Sequence, residues 1–252
     1  MQSLGAFLQC HKNPYATFKS LESFRQFYPD STVVLISDNG YNYSEMAKHF
    51  NCIYIHSNES LQFVFNNLAT NDLKINHMKR LSERVKECFK LCKEEYIIWL
   101  EDDVIITDKI TDTFNYDMNG CCPNNINHID MHELKNDFSC IDPNKIYIRN
   151  GHGGTVFHKN NFIRYLENEE ILNKLLDRYY VYRGPWEQDF IFSMITILNN
   201  GTIGPYKGQG DCYGNMLSPH LCVQHQYKKH YGQPLPIELI HLGGTPGSPS
   251  NP

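Results

Sequence analysis

Apolar residues fall into short continuous runs, separated by segments with helical spacing, through the first hundred positions. Leu4-Gly5-Ala6-Phe7-Leu8-Gln9, Thr32-Val33-Val34-Leu35-Ile36 and Cys52-Ile53-Tyr54-Ile55 have strand length. Between them, Pro14 opens a helix with Phe18, Leu21, Phe24 and Phe27 at helical spacing, stopped by Pro29-Asp30. A shorter helix is expected from Ser44 to Phe50, with Ser44 as its cap. The longest helical pattern covers Asp72 to Cys92, with Leu73, His77, Leu81, Val85, Cys88 and Leu91 along one side. Then Tyr96-Ile97-Ile98-Trp99-Leu100, apolar throughout, breaks into Glu101-Asp102-Asp103. A strand apolar on both faces belongs in the middle of a sheet covered by helices on both sides. The β-α-β-α-β-α-β order predicts an open, doubly wound α/β sheet, whose ligands bind beyond the carboxyl ends of the strands.

The second half is less regular. Residues 107 to 145 are polar and Asn-rich and read as a long excursion over the sheet. Ile146-Tyr147-Ile148 and Thr155-Val156-Phe157 are strand candidates on either side of Gly151-His152-Gly153-Gly154. One amphipathic helix is expected over residues 160 to 180, and another from about Glu187 to Leu198. Residues 1 to 104 thus form one half of a single domain and 105 to 242 the other. Residues 243 to 252, rich in Gly, Pro and Ser, read as a flexible tail.

Composition narrows the function classes. The 252 residues carry a net charge of -5, so no global basic field invites nucleic acid. No apolar stretch approaches the roughly 20 residues of a membrane span, and the N-terminus lacks the basic region of a signal peptide. Nine cysteines leave an odd one over, and a chain of this size needs no disulfide staples. Reduced thiols in a cytoplasmic setting are the expectation. Usage rich in Asn, Ile, Lys and Tyr points to an AT-rich genome, of a microbe or a large virus.

The sharpest chemical feature is Glu101-Asp102-Asp103. Three carboxylates at one strand end repel one another unless something positive sits between them. Oxygen ligands of this kind suit a hard divalent ion such as Mg²⁺ or Mn²⁺, which keeps positions open for phosphate oxygens. The competing account, a solvated acidic turn, loses force because the acids directly follow a buried strand.

These residues resemble the metal-dependent GT-A glycosyltransferases, whose acidic "DxD" signature closes the central strand in the same way. Five further segments stand in the family's order along the chain. Cys10-His11-Lys12-Asn13-Pro14 looks like the loop under the nucleotide in family-2-type members, and Ser37-Asp38-Asn39-Gly40 like their acidic turn at the base. Gly151-His152-Gly153-Gly154 stands where the family has a glycine-rich loop beside the donor sugar. Trp186-Glu187-Gln188-Asp189 is similar to the acidic motif facing the acceptor, and Val223-Gln224-His225 to the later segment whose His completes the metal site.

The resemblance implies a GT-A type, Rossmann-like open mixed sheet flanked by helices, with a nucleotide-sugar half and an acceptor half. It implies transfer of a sugar from a nucleoside-diphosphate donor, a UDP-sugar first, to a hydroxyl of a glycan or other acceptor, with inversion. Asp103 and His225 would hold Mn²⁺ (or Mg²⁺), with His241 as the alternative imidazole. Glu101 and Asp102 would contact the ribose, donor sugar or metal-bound water. His11, Asp38, Gly153 and Gly154 would line the donor. Asp189, with Glu187 second, would be the catalytic base, and Trp186, Tyr180 and Tyr182 would offer apolar faces to a sugar. Ordinary structural roles compete at several positions: Asp38 can cap its own turn, and acids early in a helix complement its dipole. A nucleotidyltransferase on a related sheet and a non-catalytic sugar- or nucleotide-binding protein are the alternatives. The first wants a Gly-rich phosphate loop after the first strand, which Cys10-His11-Lys12-Asn13-Pro14 does not supply. With no membrane span, the protein would act in the cytoplasm or at a membrane face through a partner.

Overall fold

The structure, a computed structural model, describes residues 2–10, 12–38, 41–59, 61, 71–120, 124–125, 131–151, 153–179, 187–212 and 216–246. The chain begins β1 (Leu4–Cys10), α1 (Pro14–Phe27), β2 (Val33–Ser37), β3 (Tyr41–Asn42), α2 (Ser44–His49) and β4 (Ile53–Ile55). It continues through α3 (Asn71–Lys90), β5 (Tyr96–Leu100), β6 (Ile105–Ile106), β7 (Met118–Asn119), β8 (Asn124–Asn125), α4 (Met131–Asp137) and β9 (Ile148–Arg149). Then follow β10 (Val156–His158), α5 (Lys159–Leu166), α6 (Glu169–Tyr179), α7 (Glu187–Leu198), β11 (Ile203–Gly204), β12 (Gln209–Asp211) and β13 (Val223–His225). A 3-10 helix (Ile237–Leu242) and β14 (Thr245–Pro246) close the described chain.

Seven strands make the main sheet, in the order β11-β7-β10-β5-β1-β2-β4. β4, β2, β1 and β5 are mutually parallel, whereas β10 runs antiparallel to both β5 and β7. The expected mixed α/β sheet is therefore present, flanked by helices. Side chains alternate across the strands, so each apolar run feeds two cores. Phe7, Val34, Ile36, Ile97 and Trp99 face the α3, α5 and α7 side, packed on Leu81, Phe89, Phe162 and Phe192. Ala6, Leu8, Leu35, Ile98 and Leu100 face the other side and meet Phe18, Leu21 and Phe24 of α1 and Met46 of α2. Trp99 is fully buried, edge-on to Phe7 at 4.7 Å between ring centroids. Truncating so large a buried ring costs about 3–5 kcal/mol.

Several local expectations are corrected. Ser44 is the first residue of α2 rather than its cap; the position before it is Tyr43, and Asn42 Oδ1 accepts from the Ser44 amide at 3.0 Å. The 107 to 145 excursion contributes β7 to the main sheet and carries α4. Ile146 is 73% exposed, and the strand expected there is displaced to Ile148–Arg149, pairing with β8 away from the main sheet. The single helix over 160 to 180 is broken after Leu166, where Asn168 Oδ1 accepts from the Ile171 amide and starts α6. Leu73 and Leu91, expected inward on α3, are 48% and 45% exposed, because the buried stripe is confined to its middle. The tail does not begin at residue 243: Thr245–Pro246 pair antiparallel with Tyr41–Asn42. The seven described cysteines are free thiols, and no helix among the described residues is long and apolar enough to cross a membrane.

Candidate cation and donor site

Register brings the carboxyl ends of β1, β2 and β5 to one edge, with Cys10 opposite Ser37 and Leu8 opposite Leu100. The next residues are Asp38 after β2 and Glu101-Asp102-Asp103 after β5. β6, starting two residues beyond Asp103, pairs antiparallel with β13, Ile105 against Gln224 and Ile106 against Val223. The Tyr227 amide then donates to the Asp103 carbonyl at 3.0 Å. This pairing folds the distant Val223-Gln224-His225 segment back over the acids.

As a result Glu101, Asp103 and His225 present ligand atoms that all lie within 4.8 Å of one another. The imidazole Nε2 is 3.4 Å from Glu101 Oε2 and 3.7 Å from Asp103 Oδ1. The Asp103 side chain is only 5% exposed, and its Oδ1 is buried with no hydrogen-bond partner among the described residues. An orphaned buried carboxylate oxygen is costly unless a cation or donor completes it. Two carboxylates and one imidazole are a donor set that fits a divalent ion. His241, in the exposed part of the 3-10 helix, is not in this cluster.

The ionisation of the cluster follows from its burial. Desolvation, then the charge of Glu101, pushes the Asp103 carboxyl up to about 7, against the opposing pull of His225. Burial acts to lower the His225 imidazolium, but hydrogen bonds to Asp211 and Glu101 and the nearby carboxylate charges raise it to about 11. Lys228 Nζ lies 3.8 Å from Asp103 Oδ2 on the exposed side.

Residues without a sequence signal complete the surroundings. Asp211 Oδ1 accepts from His225 Nδ1 at 2.9 Å. Gln226, held at φ 63°, brings its amide nitrogen 3.1 Å from Nε2. Asp102 points elsewhere: Tyr231 Oη donates to its Oδ1 at 2.8 Å and Asn13 Nδ2 to its Oδ2 at 3.1 Å. Burial raises the Asp102 carboxyl above its ordinary range despite these donors.

The glycine-rich loop lies across the end of β5, where the Gly154 amide donates to the Trp99 carbonyl at 2.8 Å. Gly154 has φ +79°, and a Cβ there would also crowd Gln209 and Val223. Gly153 packs against the His225 ring, and a Cβ built on Gly151 would come 3.5 Å from Asp189 Oδ2. The loop therefore spans the space between the cation cluster and the first turn of α7. Asp189 is half-buried there, and Gln188 Nε2 donates to the Leu61 carbonyl at 3.4 Å. Glu187 is the first residue of α7.

Asp38 is fully buried. Its Oδ1 accepts from the Leu61 amide at 2.7 Å and from Arg84, whose guanidinium also reaches Gln9 and Ser57. The carboxylate thus anchors the loop after β4. His132 is exposed on α4. His11, Asn39, Gly40, Cys121, Cys122, His128, His152, Tyr180, Tyr182 and Trp186 lie outside the described residues.

Superposition on solved structures supplies the decisive likeness. A galactosyltransferase, LgtC, in complex with donor and acceptor sugar analogues matches with a TM-score of 0.50 at 12% identity, over 94% of this chain and 99% of that one. An active-site glutamine-to-glutamate variant of LgtC matches with the same TM-score at 14% identity, over 91% and 88%. The fold is GT-A. No protein-family model and no curated protein sequence matches the chain. At this identity the likeness concerns the GT-A architecture alone. Within that architecture the Glu101, Asp103 and His225 cluster sits at the carboxyl edge of the parallel strands, where open α/β sheets bind ligands.

Proposed function

We propose that this protein is a metal-dependent glycosyltransferase, moving a sugar from a nucleoside-diphosphate sugar to an acceptor hydroxyl. The observation that carries this reading is the convergence of Glu101, Asp103 and His225 at the strand edge of a GT-A sheet. These three residues would hold a divalent ion, Mn²⁺ first and Mg²⁺ second. When bound, the ion neutralises charge developing on the nucleoside diphosphate as the sugar departs. Residues 1–104 make the donor half, with a UDP-sugar as first candidate, and residues 105–242 the acceptor half.

The chain's own groups take the remaining roles. The segment after β1 to which His11 belongs is assigned to the nucleotide from its sequence alone, and the base would rest at the β2 end, beside Asp38. Asp102, held by Tyr231 and Asn13, faces the ribose or donor sugar. Backbone groups of Gly153 and Gly154 approach the sugar closely, since neither residue has a side chain to intervene. Asp189, with Glu187 as second choice, takes the proton from the attacking acceptor hydroxyl on the face opposite the diphosphate, which inverts the anomeric centre. The proximity of Asp189 to the glycine loop supports this assignment. The setting is the cytoplasm, or a membrane face reached through a partner.

One observation favours a second stereochemical outcome. The LgtC variant above is described as an active-site glutamine mutant, and Gln188 lies between the two acids of α7. A neutral amide takes no proton, so a donor sugar facing Gln188 rather than Asp189 fits transfer with retention.

The test is a screen of UDP-, GDP- and dTDP-sugars, with and without Mn²⁺, reading release of nucleoside diphosphate. The expected result is Mn²⁺-dependent turnover of one donor class. A protein that only binds sugars would be stabilised thermally by a donor without releasing diphosphate. A nucleotidyltransferase would release pyrophosphate from a nucleoside triphosphate instead.

A further inference from the structure

We infer that Asp211 is a positioning residue for the cation site, fixing the His225 imidazole so that Nε2 is presented to Glu101 and Asp103. This rests on the metal reading above and adds a residue that the acidic signature and the His segment do not contain.

The arrangement is built into strand register. β12 and β13 pair in parallel with Asp211 opposite His225, and the Cys212 amide donates to the His225 carbonyl at 2.7 Å. Cross-strand partners on one face stand close enough to touch. Here that proximity becomes a hydrogen bond from Nδ1–H to Asp211 Oδ1 at 2.9 Å. A ring whose Nδ1 carries a proton toward a carboxylate leaves Nε2 to face the opposite way, and Nε2 is the atom 3.4 Å from Glu101 and 3.7 Å from Asp103. The bond fixes the ring's rotation as well as the atom it offers. Gly153 then closes one side of the imidazole with bare backbone, so the ring cannot swing that way.

The chemistry matches what metal-binding histidines require. A carboxylate on the distal ring nitrogen orients the ligand and increases its basicity, and losing such a partner costs roughly 10–100-fold in metal affinity. Asp211 is suited to this role and unsuited to direct ligation, because it lies on the Nδ1 side of the ring, away from the two acids. Its carboxyl is held below the ordinary range by the hydrogen bond from His225, burial opposing.

Two measurements on the full chain test this. Mn²⁺ binding is titrated for the wild type, Asp211→Ala and Asp211→Asn by electron paramagnetic resonance of the free ion. Asp211→Ala should bind about 10–100-fold more weakly, and Asp211→Asn, whose amide oxygen still accepts from Nδ1–H, less than about tenfold more weakly. The metal-free wild type should also show an exchange-protected, downfield imidazole N–H proton resonance that disappears in His225→Ala. That resonance should move upfield in Asp211→Asn and be lost in Asp211→Ala. If Asp211→Ala does not fold, the wild-type resonance and the Asp211→Asn shift carry the test. Unchanged Mn²⁺ affinity in Asp211→Ala, or a wild type lacking the resonance, overturns the assignment. A wild type that binds no Mn²⁺ overturns instead the metal reading on which it stands.

Discussion

Gly153 and the His225 imidazole are in such close contact that no side chain fits at position 153: a Cβ built there would overlap the ring. The glycine is required by space, since its neighbour Gly154, not Gly153, has the positive φ. Gly153→Ala should therefore push the imidazole off the Glu101 and Asp103 carboxylates. The expected outcome is a loss of about 1–3 kcal/mol in stability, as for other overpacked sites, together with weaker Mn²⁺ binding. Urea denaturation and an ion titration read the two effects separately. Unchanged Mn²⁺ affinity would mean that the ring's position does not matter to the ion.

Ionisation of the same cluster makes ion binding depend on pH. Asp103 is raised to about 7 and His225 to about 11, so near pH 8 an incoming cation displaces about one proton, and near pH 6 about two. Mn²⁺ affinity should climb roughly tenfold per unit above pH 7 and more steeply below it. For the metal-free protein the sign is opposite. Both groups bind protons more tightly folded than unfolded, so the stability they supply is lost as pH rises, from 3.8 to about 7 for Asp103 and from 6.5 to about 11 for His225. Calorimetric titrations in buffers of different ionisation enthalpy count the released protons. An affinity that stays flat between pH 6 and 8 would refute this account.

The Arg84–Asp38 pair makes a prediction of another kind. Side-chain exposure is 8% for the arginine and 0% for the aspartate, so the pair is shielded from solvent screening. Removing one partner of a buried pair costs about 3–5 kcal/mol. Arg84→Ala should lose that much in equilibrium unfolding and loosen the loop at Leu61, whose amide the same carboxylate holds. A loss under 1 kcal/mol would show that water replaces the guanidinium at little cost.

The first hundred residues were readable because each element has one dominant signal. Continuous apolar runs gave β1, β2 and β5, and Pro14 with its spaced phenylalanines gave α1. Asp103 and His225 were singled out in the same way, since both fall in segments whose residue types announce chemistry, whereas Glu101, expected at the ribose, the donor sugar or metal-bound water, joins them as a candidate ligand only in the fold. What escaped was fixed by pairing at long range. β7 is two residues long and carries no periodicity; it joins the sheet only because β10 and β11 flank it. Asp211 and Tyr231 look like ordinary polar residues until register and the return of the chain bring them to His225 and Asp102, and nothing in the Cys10–Pro14 segment announces that Asn13 reaches Asp102. The break after Leu166 was hidden because apolar positions keep their helical spacing on both sides of it.

The two stereochemical readings diverge at adjacent residues of α7, which makes them separable. If Asp189 removes the acceptor proton, Asp189→Asn keeps the shape of the site and deletes the base. Transfer to the acceptor should then fall by about 10²–10⁴-fold while donor binding persists. Gln188→Glu in that case changes a residue without a proton to move, and its effect should be smaller. Should Gln188 face the donor sugar instead, the order of effects reverses, because a new carboxylate beside the leaving diphosphate introduces repulsion where the amide had none. Proton NMR of the first product reads the anomeric configuration before mutarotation or further reaction. An inverted product together with the larger loss in Asp189→Asn supports Asp189 as base. A retained product, or wild-type transfer in Asp189→Asn, removes that role from Asp189.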